Sequence, residues 1–178
     1  MGDCIMDFRK AVGRRPLLQC GASVIVEKSA GEVLLEQRTD NGCRGYPGGT
    51  VELDEPAEDA AKRELYGETG LTALSLELFG VLSGAGTHHV CPNGDEASNA
   101  DIVYICRRYT GRLAPQESEV SRLCFVDPEN FPENISPSAA AGLKAYAGWR
   151  MGKRANSKGA SLAGPGPAHK YMEAQGKA

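Results

Sequence analysis

The sequence predicts an α/β domain, on three observations. Apolar, β-branched runs at residues 20–27, 32–38, 73–83 and 101–109 have the length and composition of strands. A Gly-Gly turn at residues 48–49 feeds one helical pattern that stops at Gly70, where a left-handed C-terminal residue is expected. A second helical pattern, residues 138–149, closes the domain with Leu143, Tyr146 and Ala147 on one face.

Taken in order, residues 20–27 (CGASVIVE) and 32–38 (EVLLEQR), joined by a turn at 28–31, read as a β-hairpin. A polar loop, 39–45, leads to the glycines. In the helix that follows, Asp54 is the expected N-cap, and Glu55, Pro56, Glu58 and Asp59 suit the positive end of the helix dipole. Ala57, Ala60, Ala61 and Leu65 recur at helical spacing and give a narrow apolar stripe that allows close packing. Residues 84–100 read as a long loop around the turn-forming Pro92-Asn93-Gly94-Asp95, a length that is often functional. Residues 110–118 form a further loop before the last strand at 123–126.

Composition bounds the rest. With 178 residues and 41% hydrophobic content, the chain can bury one core with tails to spare. Residues 1–17 are an N-terminal extension, 18–150 the domain, and 151–178 a tail with the Gly, Ala, Ser, Pro and Lys content of a disordered segment. A net charge of -3 gives no general reason to expect nucleic-acid or membrane binding. No apolar run approaches the length of a membrane span, and the first residues mix acids with bases, unlike a secretory signal. Met6 stands where a myristoylation motif wants Ser or Thr. The six cysteines show no Cys-x-x-Cys spacing, which fits free thiols in a cytoplasmic protein.

The chemistry lies in the helix carboxylates. Glu64 and Glu68 are four apart and stack on one face, where like charges repel by a few tenths of a kcal/mol. A hard divalent cation, which takes oxygen ligands, would remove that cost. A solvated acidic face is the alternative for two stacked glutamates alone.

Their surroundings resemble the Nudix hydrolase signature: G, five residues, E, seven residues, R-E-apolar-x-E-E-x-G-apolar. Here it reads Gly49, Glu55, Arg63-Glu64-Leu65, Gly67-Glu68 and Gly70-Leu71, with Gly67 in place of the first glutamate of the E-E pair. Leu34 to Arg38, Tyr46-Pro47 and residues 125–132 extend the resemblance over roughly residues 18 to 150.

The resemblance implies a Nudix-type α/β/α sandwich with a mixed β-sheet. It also implies a Mg²⁺-dependent hydrolase, with Mn²⁺ as a substitute, that cleaves the pyrophosphate bond of a nucleoside diphosphate linked to another moiety. ADP-ribose, nucleotide sugars and nucleoside triphosphates are all open. The partner would be this small nucleotide, with no nucleic acid and no membrane, and a homodimer is a candidate assembly. The implied metal ligands are the Gly48 carbonyl, Glu64, Glu68 and a glutamate from the loop before the last strand. Counting back from Phe125 gives Glu119, with Glu117 as second choice, and Glu64, Glu68 and Glu119 are the candidate catalytic groups. Gly49, Glu55, Arg63 and Gly70 are expected to be structural within the signature, Glu55 and Arg63 as an ion pair that orients neighbouring carboxylates. Arg38 and Arg44 are placed to meet phosphate or are ordinary surface charges. His88 is a substrate contact or a plain exposed histidine; His89, its neighbour on extended chain, points the other way, so the two do not readily chelate one ion. Gly67 removes a carboxylate that the family uses. It leaves three readings: fewer ions with weak catalysis, a replacement carboxylate, or a nucleotide-binding regulatory module with a disabled site.

Overall fold

The computed structural model describes residues 4–91 and 93–159. Strand β1, Leu17–Val26, is the central element. From Ala22 to Val26 it is buried on both faces, the pattern of a strand covered by helices on each side. It runs parallel to β7, Glu96–Gly111, in register from Leu17 opposite Ala97 to Val26 opposite Cys106. Its other edge pairs antiparallel with β4, Gly48–Thr50. Beyond β7 lie β5, Leu71–Leu82, and the short β6, His88–Val90, both antiparallel to it. The resulting five-stranded sheet is mixed, as expected. A second, three-stranded antiparallel sheet has the order β3 (Arg44–Gly45), β2 (Val33–Arg38), β8 (Val120–Val126).

Helices cover the two faces. Helix α2, Ala57–Thr69, buries Ala60, Ala61 and Leu65 against Ala22, Val24 and Val26 of β1, with Leu34 and Cys106. Helix α3, Pro137–Gly159, buries Leu143 and Tyr146 against Ile25, Val33, Leu35, Val103 and Ile105. Alternate residues of β1 and β2 therefore serve opposite cores, and Leu34 is on the α2 side while Val33 and Leu35 are on the α3 side. Helix α1, Cys4–Val12, precedes β1 and is tied to β7 by the buried Arg9, whose guanidinium donates to the carbonyls of Arg15 (2.7 Å) and Glu96 (2.6 Å).

Four expectations are corrected. β1 and β2 do not form a hairpin: only a single bridge, Glu27 with Val33, joins them. Both edges of β1 are already taken by β4 and β7, so β2 finds partners in the other sheet. Asp54 is not the N-cap; it adopts a left-handed conformation (φ 61°) in the preceding turn, and Pro56 holds the cap position. Residues 84–100 are not one long loop. The segment 91–95 is a tight turn closed by Cys91 N–H to the Asp95 carbonyl (2.7 Å), and it joins β6 to β7; Pro92 lies outside the described residues. Finally, α3 does not stop near 150 but continues to Gly159, into the segment expected to be a disordered tail. Residues 160–178 of that segment lie outside the described residues. Among the described residues no helix is long and apolar enough to cross a membrane.

Candidate active site

Gly48 and Gly49 position the site. Neither has positive φ; each is needed for close approach. A Cβ on Gly48 would overlap Ser23, side chain and backbone alike, and a Cβ on Gly49 would overlap the Glu64 carboxylate. This lets β4 lie directly against the acidic face of the C-terminal half of α2. The Gly48 amide then donates to Glu68 Oε2 at 2.9 Å. Gly70 ends α2 in the left-handed region (φ 73°), with its amide on the Tyr66 carbonyl.

At the rim, Glu55 and Arg63 form a two-pronged pair: Arg63 Nε to Glu55 Oε1 and Nη2 to Glu55 Oε2, both 2.8 Å. Arg63 Nη2 also reaches the Thr50 carbonyl (3.0 Å), and Nη1 holds Glu64 Oε1. One guanidinium thus fastens the loop to the helix and fixes the Glu64 side chain. Beside it, the Glu55 carboxyl is lowered to about 2.

Deeper in, the charges are not balanced. Glu68 is 5% exposed, and so is Glu36, on β2. Glu36 is two residues from Leu34 and so points to the same side, toward α2. The two carboxyls act on each other electrostatically, and Glu36 Oε2 is buried with no hydrogen-bond partner. Burial is the largest cause that raises both; the charge of Glu36 adds to the rise of Glu68, while Arg38 holds Glu36 back, and the pair keeps its protons up to about 7 and about 9. Glu64 and Glu119 act on both from nearby. Glu119 is exposed, at the end of the β7–β8 loop, whose backbone is pinned on both sides. Ala114 N–H donates to the Thr69 carbonyl (2.9 Å), Gln116 N–H to the Glu68 carbonyl (3.4 Å), and Thr39 N–H to the Glu119 carbonyl (2.9 Å).

The structure therefore brings Gly48, Gly49, Glu55, Arg63, Glu64, Glu68 and Glu119 together, and adds Glu36. Sequence reading quoted Glu36 without assigning it a role, although a glutamate sharing a strand face with a buried leucine is itself a signal. Gly67 is exposed, and a Cβ there would meet only Gln116 Oε1, at 3.7 Å. The donor set suits a hard divalent cation: oxygens only, several negative, one of them buried without a partner. Among the described residues, no three His, Cys, Asp or Glu side chains are already drawn round one point. Glu64 and Glu68 are instead held by Arg63 and the Gly48 amide, partners from which an ion would compete them away.

A cleft of about 110 Å³ opens beside the carboxylates, lined by Glu36, Arg38, Gly48, Gly49, Ser23 and Asp101 among others. Asp101 is buried and takes hydrogen bonds from Ser23 Oγ (2.8 Å) and the Tyr46 hydroxyl (3.2 Å). Arg38 reaches this cleft but is paired with Asp40 through two 3.0 Å bonds. Arg44 and His88 do not line it. Arg44 has its Nε buried without a partner, and His88 is on β6, bonded to Glu96 at 2.9 Å.

Comparison with known proteins agrees with this geometry. Residues 17–146 match the family model described as the NUDIX domain. An ADP-ribose pyrophosphatase from Methanocaldococcus jannaschii is 33% identical over 131 residues, 72% of either chain. A MutT-like protein from Streptomyces ambofaciens is 28% identical over 121 residues, 68% of this chain and 71% of its own. The crystal structure of a MutT NUDIX hydrolase from Burkholderia pseudomallei shares the fold, with a TM-score of 0.60, 23% identity, and coverage of 72% of this chain and 98% of that one.

Proposed function

The chain belongs to the Nudix hydrolase family, and from that premise we infer a divalent-metal-dependent pyrophosphohydrolase that cleaves a nucleoside diphosphate linked to a second moiety, with Mg²⁺ as the working ion and Mn²⁺ as its substitute. The observation that carries this reading is the group of carboxylates around Glu68, packed beside a polar cleft where Arg38 is paired with Asp40 and Glu36 Oε2 is buried without a hydrogen-bond partner. Glu64, Glu68, Glu119 and the Gly48 carbonyl would hold the ion, which would supply charge neutralisation for the diphosphate and activation of the attacking water.

The chain's own groups do the remainder. The Gly48-Gly49 approach keeps the loop backbone against α2, so substrate oxygens can come close to the carboxylates. Glu64 or Glu119 accepts the proton of the attacking water; Glu119 is exposed and Glu64 half-buried, so either can pass it to solvent. Arg38, once released from Asp40, can meet phosphate in the cleft that it lines. ADP-ribose is the first substrate to try, because the relative from Methanocaldococcus jannaschii carries that activity in its name.

The test is product analysis over ADP-ribose, nucleotide sugars and nucleoside triphosphates, with Mg²⁺ or Mn²⁺ and with EDTA. Metal-dependent release of a nucleoside monophosphate from one compound is expected. Folded protein that turns over none of them, but is thermally stabilised by one, would replace this reading with a nucleotide-binding regulatory module.

A further inference from the structure

Position 67 is where the Nudix signature places a glutamate, and this chain has glycine there. The position is exposed, and a Cβ there would meet only Gln116 Oε1, at 3.7 Å, so it adds nothing to the carboxylate cluster around Glu68. On the opposite side of the same cluster stands Glu36, and three observations set it apart from an ordinary strand residue. It is 5% exposed, so its carboxylate is removed from water. Its Oε2 has no hydrogen-bond partner, which is costly for a buried charged acceptor. It also lines the same cleft as Gly48, whose amide holds Glu68, the most buried carboxylate of α2. The strand fixes this direction: Leu34, on the same face, is buried against Leu65 and the alanines of α2.

We propose that Glu36, reaching across from β2, supplies the carboxylate that Gly67 fails to supply from α2, so that the metal site draws a ligand from β2 as well as from α2, the Gly48 carbonyl and Glu119. This rests on the metal-dependent reading above. It makes Gly67 tolerable, because the number of negative oxygens around the ion is kept. It also accounts for the orphaned Oε2, which has a partner once an ion is present.

The experiment is Mn²⁺ binding, followed by the electron paramagnetic resonance signal of free Mn²⁺ and by the Mn²⁺-induced shift in melting temperature, for the wild type, Glu36→Gln, Gly67→Glu and the double variant. Glu36→Gln is expected to weaken Mn²⁺ binding by roughly 10-fold to 100-fold, while melting no lower than wild type in EDTA. Gly67→Glu alone should leave affinity within about threefold of wild type, whereas in the Glu36→Gln background it should restore most of what was lost. Wild-type affinity in Glu36→Gln, or failure of the added glutamate to restore it, overturns the proposal. Should Glu36→Gln not fold, Gly67→Glu decides alone: a gain of tenfold or more shows that position 67 was a vacancy nothing had filled. If the wild type itself binds no Mn²⁺, it is the metal-dependent reading that fails first, and the two failures are thereby told apart.

Discussion

Two acidic regions of the same site are treated in opposite ways. At the rim, Glu55 meets Arg63 in a two-pronged pair, and its carboxyl is lowered to about 2. At the floor, Glu36 and Glu68 face each other in a dry environment, and both are raised. The rim is a finished interaction that holds loop to helix. The floor is unfinished as protein alone. The difference teaches where a cation fits: beside the buried carboxyls of the floor, with the balanced Glu55–Arg63 pair as the frame.

The largest effect should come from the floor. Glu68→Gln is expected to cut kcat/KM by more than about 100-fold, since even partners one step removed from a metal account for 10-fold to 100-fold. Its melting temperature in EDTA should not fall, because the glutamine keeps an oxygen for the Gly48 amide and replaces a carboxyl that is already protonated without metal. A variant with full activity would end the metal assignment. At the rim, Arg63→Ala should lower kcat/KM by about 10-fold to 100-fold by freeing Glu64. Its stability should fall by no more than about 1 kcal/mol, since the arginine is 44% exposed. Equal losses of activity and stability in both variants would erase the contrast.

The contrast also has a pH signature. Glu36 and Glu68 are raised above the ordinary carboxyl value of 4.5, so in the metal-free protein folding favours their protonated forms. Their contribution to stability is fully present below about 4.5 and is lost as pH rises through about 7 and about 9. Melting temperature in EDTA should therefore decline across that window, and saturating Mg²⁺ should flatten the decline. Gly67→Ala is a smaller step. With open space at that position it should raise stability by about 1 kcal/mol, the helix preference of alanine over glycine, and leave the rate unchanged. His88→Ala, removing an exposed pair with Glu96, should change stability by less than about 1 kcal/mol and kcat/KM by less than twofold.

How much of this was legible in the sequence depends on whether the signal was local. Helix α2 and its end at Gly70 were readable, since spacing and turn chemistry lie within a few residues. The Glu55–Arg63 pair was readable from the signature. The pairing of β1 was not: its hydrophobic run names a strand, but its parallel partner β7 lies some seventy residues on. The run from Ala22 to Val26, without polar alternation, was the available hint of a strand covered on both faces. The turn at residues 93–95 was visible, yet the polar residues flanking it masked the two strands it joins. Glu36 needed the third dimension, because nothing in its neighbourhood along the chain names Glu68.

The backbone bonds that fasten the β7–β8 loop to the end of α2 have a consequence for motion. Ala114 and Gln116 occupy carbonyls that a helix end otherwise leaves to water, and Thr39 secures the far side. The last turn of the helix and the loop that presents Glu119 therefore cannot open separately. Deuterium uptake at the amides of Ala114, Gln116 and Gly70 should follow a common time course, the mark of one cooperative unit, and lag behind that of the exposed turn at residues 93–95.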